Sequence, residues 1–279
     1  MNKQNSKKLE QGEIPISDGN KKGKIGTKIA IFDLTDCEGC ELEFLNLLEK
    51  LPDFLDQVDI LNWRLIVNEE KWQNIDIAFI EGTPIKTEEV KLLKKIRENA
   101  KYVVALGTCA CTGGIPALID PAKRKKVFKK IYPDREPKNS QPAKPIAHYI
   151  KIDFAIGGCP ANSGDIERFL ASILAGKMPL QKTYPVCLAC KARQNKCLLL
   201  EGKPCLGPVT RAGCNAICPT YGFPCFGCLG PIEGANIKAL YNRFKEIGMN
   251  DKEILDWASI AWKNLKEYQE LEKIIKEKK

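Results

Sequence analysis

Eight of the chain's thirteen cysteines fall within 42 residues, in the stretch CLACKARQNKCLLLEGKPCLGPVTRAGCNAICPTYGFPCFGC from Cys187 to Cys228. So dense a run of thiols constrains the fold more than any hydrophobic pattern does. It leaves three kinds of structure: a disulfide framework, a zinc module or an iron–sulfur module. The odd cysteine count argues against disulfides. So does the start of the chain, MNKQNSKKLEQGEIPISDGNKKGK, which has neither the apolar stretch of a signal peptide nor a twin arginine. No apolar run reaches the ~18–20 residues that cross a membrane. The expected compartment is therefore the reducing cytoplasm, where disulfides are rare. Residues 1–26 read as a disordered polar tail.

The spacing of the eight is CxxC, six residues to Cys197, seven to Cys205, eight to Cys214, three to Cys218, six to Cys225, then CxxC. CxxC turns serve zinc and iron–sulfur centres alike, because they aim two thiolates and several amides at one point. Cys159-Pro160 and Cys218-Pro219 tilt toward iron and sulfide, since ferredoxin runs end in Cys-Pro. The region is rich in Gly and Pro and weak in periodicity, so its core is expected to come from bound cofactors. The formal charge of +9 would suggest nucleic acid or a membrane surface. Three thiolate-held cubes at about −2 each would bring it to roughly +3, so the charge says little about nucleic acid.

The first half alternates apolar runs with helical patterns. KIAIFD, VDILNW, IDIAFIE, KYVVALGTCACTGG as far as Cys109, and KIDFAI read as strands. ELEFLNLLEKL, TEEVKLLKKIRENA and SGDIERFLASILAGK read as helices, the last two with Thr87 and Ser163 as N-caps. That alternation predicts an α/β fold with a parallel sheet, whose ligands sit beyond the carboxyl ends of the strands. Cys37, Cys40, Cys109 and Cys159 each lie just after a predicted strand, so four distant thiolates can meet at one edge and hold one cube. Cys111 is surplus to a four-ligand site and reads as a structural or loosely exposed free thiol. His148, the only histidine, is placed on the strand before Cys159 and reads as a packed or surface residue. Glu81 ends a strand near the site, either lining it or capping a turn.

These residues carry a resemblance. CEGC after the first strand, GTCACTGGIPAL after the fourth and GGCP after the fifth resemble the proximal-cluster motifs of nickel–iron hydrogenase small subunits. CLGPVTRAGCNAICP and CFGCLGP resemble the two-cluster region of the same family. The likeness covers about residues 28–235 and is strongest to the cytoplasmic, bidirectional, sulfhydrogenase-like enzymes that exchange electrons with NAD or NADP. It implies a flavodoxin-like domain at 27–180 carrying a proximal 4Fe-4S cluster on Cys37, Cys40, Cys109 and Cys159. A small, irregular, cysteine-rich domain at 181–240 would follow, with a C-terminal helical segment at 241–279. Cys187, Cys190, Cys197 and Cys205 would hold the distal cluster, and Cys214, Cys218, Cys225 and Cys228 the medial one.

Two departures from the family stand out. Many members have a histidine first among the distal ligands and a proline that leaves a three-iron medial cluster; Cys187 and Cys218 stand at those positions, implying 4Fe-4S in both. Ala161 stands where a second proline usually follows GCP, with no ligand lost. Related quinone-reductase subunits have adjacent cysteines instead of CxxC and lack the second cluster domain.

The implied function is an electron relay. The nickel–iron centre lies in a separate large subunit, and electrons would pass through three 4Fe-4S clusters to a flavin and iron–sulfur partner that handles NAD(P). No general base or nucleophile is evident in this chain. The rivals are a two-zinc structural module and a stand-alone iron–sulfur carrier. Residues 121–144, with nine Lys/Arg against two acidic residues, read as a solvated insertion loop. From Asp251 the tail places Leu255, Ala258, Trp262, Leu265 and Tyr268 at helical spacing, a face for covering its own domains or a neighbour.

Overall fold

The computed structural model describes residues 26–50, 55–136 and 140–278. The polar tail expected at 1–26 therefore lies, but for Gly26, outside the described residues. Five strands, β1 Thr27–Asp33, β2 Val58–Asn62, β3 Ile75–Glu81, β4 Ala100–Leu106 and β5 Phe154–Ile156, form one parallel sheet in the order β2-β1-β3-β4-β5. That is the flavodoxin-like order, with its switch point between β1 and β3. Alternate residues feed two cores. Ile29, Ile31, Ile77 and Phe79 face α1 (Gly39–Lys50), while Ala30, Phe32, Ala78 and Ile80 share the other core with α2 (Thr87–Asn99).

Register sets where function can sit. Asp33 pairs with Glu81, Glu81 with Leu106, and Leu106 with Ile156, so four strands end level at one edge. The segments carrying Cys37, Cys109 and Cys159 leave from that edge. Two caps differ from expectation by one residue. Thr87 is the first helical residue of α2, and the Glu89 carboxylate accepts from the Ile85 and Lys86 amides at 2.8 and 2.9 Å. Ser163 likewise opens α5 (Ser163–Leu174), whose cap is Asn162, its Oδ1 accepting from Asp165. At α5 the residue whose side chain reaches the third amide is the cap, whereas at α2 the Glu89 carboxylate reaches back to hold the start.

Three further readings are corrected. Strand β4 stops at Leu106, and a short helix, α3 (Gly107–Thr112), carries Cys109. His148 lies in a 3-10 turn, Ile146–His148, exposed, because β5 is only three residues long and starts after it. The basic stretch contains a helix, α4 (Pro121–Ile131), capped by Asp120, instead of running as a loop. Arg124 fastens it to Ser140 Oγ and to the carbonyls of Gln141, Pro116 and Ile119.

Beyond the sheet, α6 (Val186–Ala192) and α7 (Ile217–Thr220) lie in the cysteine-rich stretch, followed by α8 (Ile237–Glu246), α9 (Asp251–Trp262) and α10 (Lys266–Glu277). The tail is thus two helices, and it covers its own chain. Phe244, Ile254, Trp262 and Leu271 pack with Val186, Leu206 and Val209 into one core that also takes in Cys190, Cys205 and Cys225. Among the described residues no helix is long and apolar enough to cross a membrane.

Candidate metal centres

The sheet-edge set is built by strand ends and helix starts. Glu81, the last residue of β3, is buried; its Oε1 accepts from the Cys40 amide at 3.1 Å and its Oε2 from the Glu41 amide at 2.7 Å. A carboxylate there satisfies orphan N–H groups at the start of α1 and suits its dipole. Of the two roles read for Glu81, capping is the one the geometry shows, and it fixes the CxxC turn. Gly107 turns the chain from β4 into α3 at φ 81°, and a Cβ there would collide with the Cys40 sulfur. Only glycine lets that corner pass over a thiol. The Ala161 amide donates to Cys40 Sγ at 3.4 Å. Cys37 and Cys159 are exposed, while Cys40 is buried.

Electrostatics tie the four together. Burial pushes the Cys109 thiol up to about 12, and neighbouring Cys159 and Cys37 add to the rise. Cys40 is raised by burial and by Glu81, and Cys159 by burial, Cys37 and Glu81. Such thiols keep their protons until a cationic centre displaces them. Sequence reasoning overlooked Glu41. It is fully buried, its Oε2 accepting from Trp63 Nε1 at 2.9 Å, and burial raises its carboxyl to about 7. A glutamate beside CxxC in an apolar helix was the available signal.

In the second half, Cys187 is pushed up to about 11 by burial and then by Cys205, Cys190 and Cys197, which places these four in one neighbourhood. A Cβ on Gly207 would sit 3.4 Å from the Cys205 sulfur and 3.5 Å from that of Cys187, so this glycine lies between two thiols far apart in sequence. Burial carries Cys228 to about 12, with Cys214 and Cys218 adding to the rise and the nearby Cys159 backbone opposing it. Cys225 lies between the groups: its thiol feels both Cys205 and Cys228, and its amide donates to Cys205 Sγ at 3.3 Å.

A cavity of about 520 Å³ opens between the halves, lined by Cys109, Cys159, Cys214, Cys218, Cys225 and Cys228 and by apolar neighbours such as Phe226 and Leu229. Among the described residues no three His, Cys, Asp or Glu side chains close tightly enough to hold one metal ion. All thirteen cysteines are free. The donor set of soft thiols with amide N–H groups aimed at sulfur, around a roomy apolar space, fits an iron–sulfur cluster. Cys111 stands apart: it packs against the α2-side core, its thiol 3.7 Å from the Ala105 carbonyl oxygen.

The family described as NADH ubiquinone oxidoreductase, 20 Kd subunit, matches residues 37–173, which hold the sheet-edge set and stop short of Cys187. The sulfhydrogenase 2 subunit delta of Pyrococcus furiosus is 39% identical over 230 residues, covering 81% of this chain and 95% of that one. A vhu subunit of the F420-non-reducing hydrogenase of Methanocaldococcus jannaschii is 32% identical over 237 residues, covering 74% of this chain and 82% of that one. Among solved structures, a chain of an NAD+-reducing [NiFe]-hydrogenase in the H2-reduced state aligns with a TM-score of 0.50 at 26% identity. It covers 56% of this chain and 94% of its own.

Proposed function

We propose a specific route for electrons through this chain, on the premise that it belongs to the nickel–iron hydrogenase small subunits. Members are subunits of oxidoreductases acting on hydrogen. This chain is an electron-transfer subunit whose family implies iron–sulfur clusters in it and a nickel–iron centre in a partner large subunit. The proposal concerns the finer points.

Residues 27–180 would hold a proximal cluster on Cys37, Cys40, Cys109 and Cys159. Residues 181–240 would hold a medial cluster on Cys214, Cys218, Cys225 and Cys228 and a distal one on Cys187, Cys190, Cys197 and Cys205. Residues 241–279 brace that second region. Each group, when bound, supplies reversible one-electron storage. The chain's residues do the rest: Glu81 orients the CxxC turn, the Ala161 and Cys225 amides donate to ligand sulfurs, and burial keeps water from the inner thiols. The observation that carries the reading is the cavity in which two ligands of the first set face four of the second. Electrons entering at the exposed Cys37 and Cys159 edge would leave by way of the Cys187 set to a flavin and iron–sulfur partner handling NAD(P). The NAD+-reducing structural neighbour supports that last step. A chain with thirteen free thiols suits the reducing cytoplasm.

Anaerobic metal and acid-labile sulfide analysis tests this. Twelve ligand cysteines in three sets of four are expected to hold about twelve irons per chain and no stoichiometric zinc. A colourless protein with about two zincs overturns the reading. Failure to copurify with a large subunit would favour the stand-alone carrier.

A further inference from the structure

Thr108 belongs to no ligand set, yet it is buried and every hydrogen-bonding group it has is used at the junction of the two halves. Its hydroxyl donates to the Cys228 carbonyl at 2.9 Å, across 120 residues of sequence. Its amide donates to the Gly158 carbonyl at 2.8 Å, and its own carbonyl accepts from Thr112 Oγ1 at 3.0 Å. The same Cys228 carbonyl accepts from the Gly158 amide at 3.2 Å. The Cys228 carbonyl is therefore clasped twice, from the helix that carries Cys109 and from the loop that carries Cys159. Backbone runs against backbone here: a Cβ on Gly157 would lie 3.0 Å from Leu229 Cα and 3.3 Å from the Cys228 carbonyl oxygen.

From this we infer that Thr108 is a positioning residue for the proximal-to-medial electron step, and that the Gly158 N–H···O=C Cys228 contact beside it, one residue from the ligand Cys159, is the bridge it holds in place. The inference rests on the ligand assignment proposed above. With clusters held by Cys109 and Cys159 on one side and by Cys228 on the other, one electron at a time would cross here, leaving the first side oxidised by one and the second reduced by one. No bond is made or broken and no proton moves, and the electrons come from hydrogen oxidised in the large subunit. A seam with two hydrogen bonds to one carbonyl fixes the donor–acceptor separation, on which tunnelling depends steeply. The hydroxyl adds what the backbone donor cannot. It ties Cys228 to the helix that bears Cys109, so the two ligand loops cannot shift apart independently.

The test uses the assembled complex with Thr108→Val, which keeps shape and loses the donor, and Thr108→Ser, which keeps the donor. Iron content is measured first on the unsubstituted protein: zinc in place of iron sinks the ligand assignment, whereas iron in place leaves the seam open to its own test. The readouts are the magnetic coupling between the reduced proximal and medial clusters, seen by electron paramagnetic resonance, and the rate at which electrons leave for an external acceptor. With Thr108→Val, coupling should weaken and electron exit slow several-fold, and Thr108→Ser should restore both. Should Thr108→Val lose iron, Gly157→Ala tests the same seam by wedging it apart, with the same two changes expected. Coupling and exit rate that stay at the unsubstituted values in iron-replete Thr108→Val or Gly157→Ala would overturn the inference.

Discussion

At the sheet edge, Cys109 and Cys159 take their places from strand register, whereas Cys205 and Cys225 take theirs from turns buried beneath helices that come later in the chain. The first arrangement rests on a regular scaffold. Phe44 packs edge-on against Trp63 and Phe79 at 5.5 and 5.1 Å, and Glu81 pins the start of α1. The second has no strand beneath it. Its thiol-bearing turns are held by Val186, Leu206 and Val209 packing on α8, α9 and α10. A set of ligands hung on a sheet is expected to persist when empty, while one held by loops and a helical brace should depend on both brace and contents.

Trp262 is the sharpest place to break that contrast. It is fully buried, and its indole Nε1 donates to the Gly227 carbonyl at 2.9 Å, one residue before Cys228. Trp262→Ala should cost about 3–5 kcal/mol and leave Gly227 O without its buried donor. Iron is expected to fall from about twelve to about four per chain, with the sheet-edge set retained. Equal loss from both regions would mean that the sheet does not stabilise its own ligands independently.

A smaller effect comes from the pair Cys109 and Cys111, two residues apart on α3. Cys109→Ala should remove the sheet-edge cluster and about four irons. Cys111→Ala should keep all of them, because its thiol packs in the opposite core and makes only a long contact to the Ala105 carbonyl. Iron counts that drop alike in the two variants would show that the proposed set has the wrong fourth member.

These contrasts follow how legible each region was. The strands could be read because both faces of the sheet are buried, which writes near-continuous apolar runs into the sequence. The four cysteines of the edge followed from glycine-rich turns after those runs. Helix α3 escaped because GTCACT is only six residues of poor helix formers, held by packing and not by propensity. Helix α4 escaped for the opposite reason: it buries no residue, leaving Val127 and Ile131 exposed, so no apolar face announces it. In the second region the spacing of thiols was plain, but their support was not. That Trp262 would meet Gly227, or Phe244 join Val186, is a long-range pairing with no local signal. Thr108 and Glu41 were missed alike, since a buried polar residue is recognised by its partner and the partner lies elsewhere in the chain.

The smallest predicted effect separates the regions by potential instead of stability. Each region has an amide donating to a ligand sulfur: Ala161 to Cys40 at 3.4 Å at the sheet edge, and Cys225 to Cys205 at 3.3 Å beneath the helices. An N–H donor stabilises the added negative charge of a reduced cluster more than the oxidised form, so it raises the potential. Proline at 161 would have no N–H to give. A neutral hydrogen bond contributes about 0.5–1.5 kcal/mol net, and a one-electron couple shifts about 59 mV per tenfold change, so Ala161→Pro should lower the proximal potential by on the order of 20–60 mV. The clusters assigned to the Cys187–Cys228 segment should keep theirs, because no ligand, donor or packing residue there is altered. Redox titration followed by electron paramagnetic resonance measures each potential separately. A fall confined to the sheet-edge cluster would assign the tuning to this one amide. An equal fall in all three would mean that Ala161 acts by loosening the whole junction, and an unshifted proximal potential would remove its amide from the tuning of Cys40.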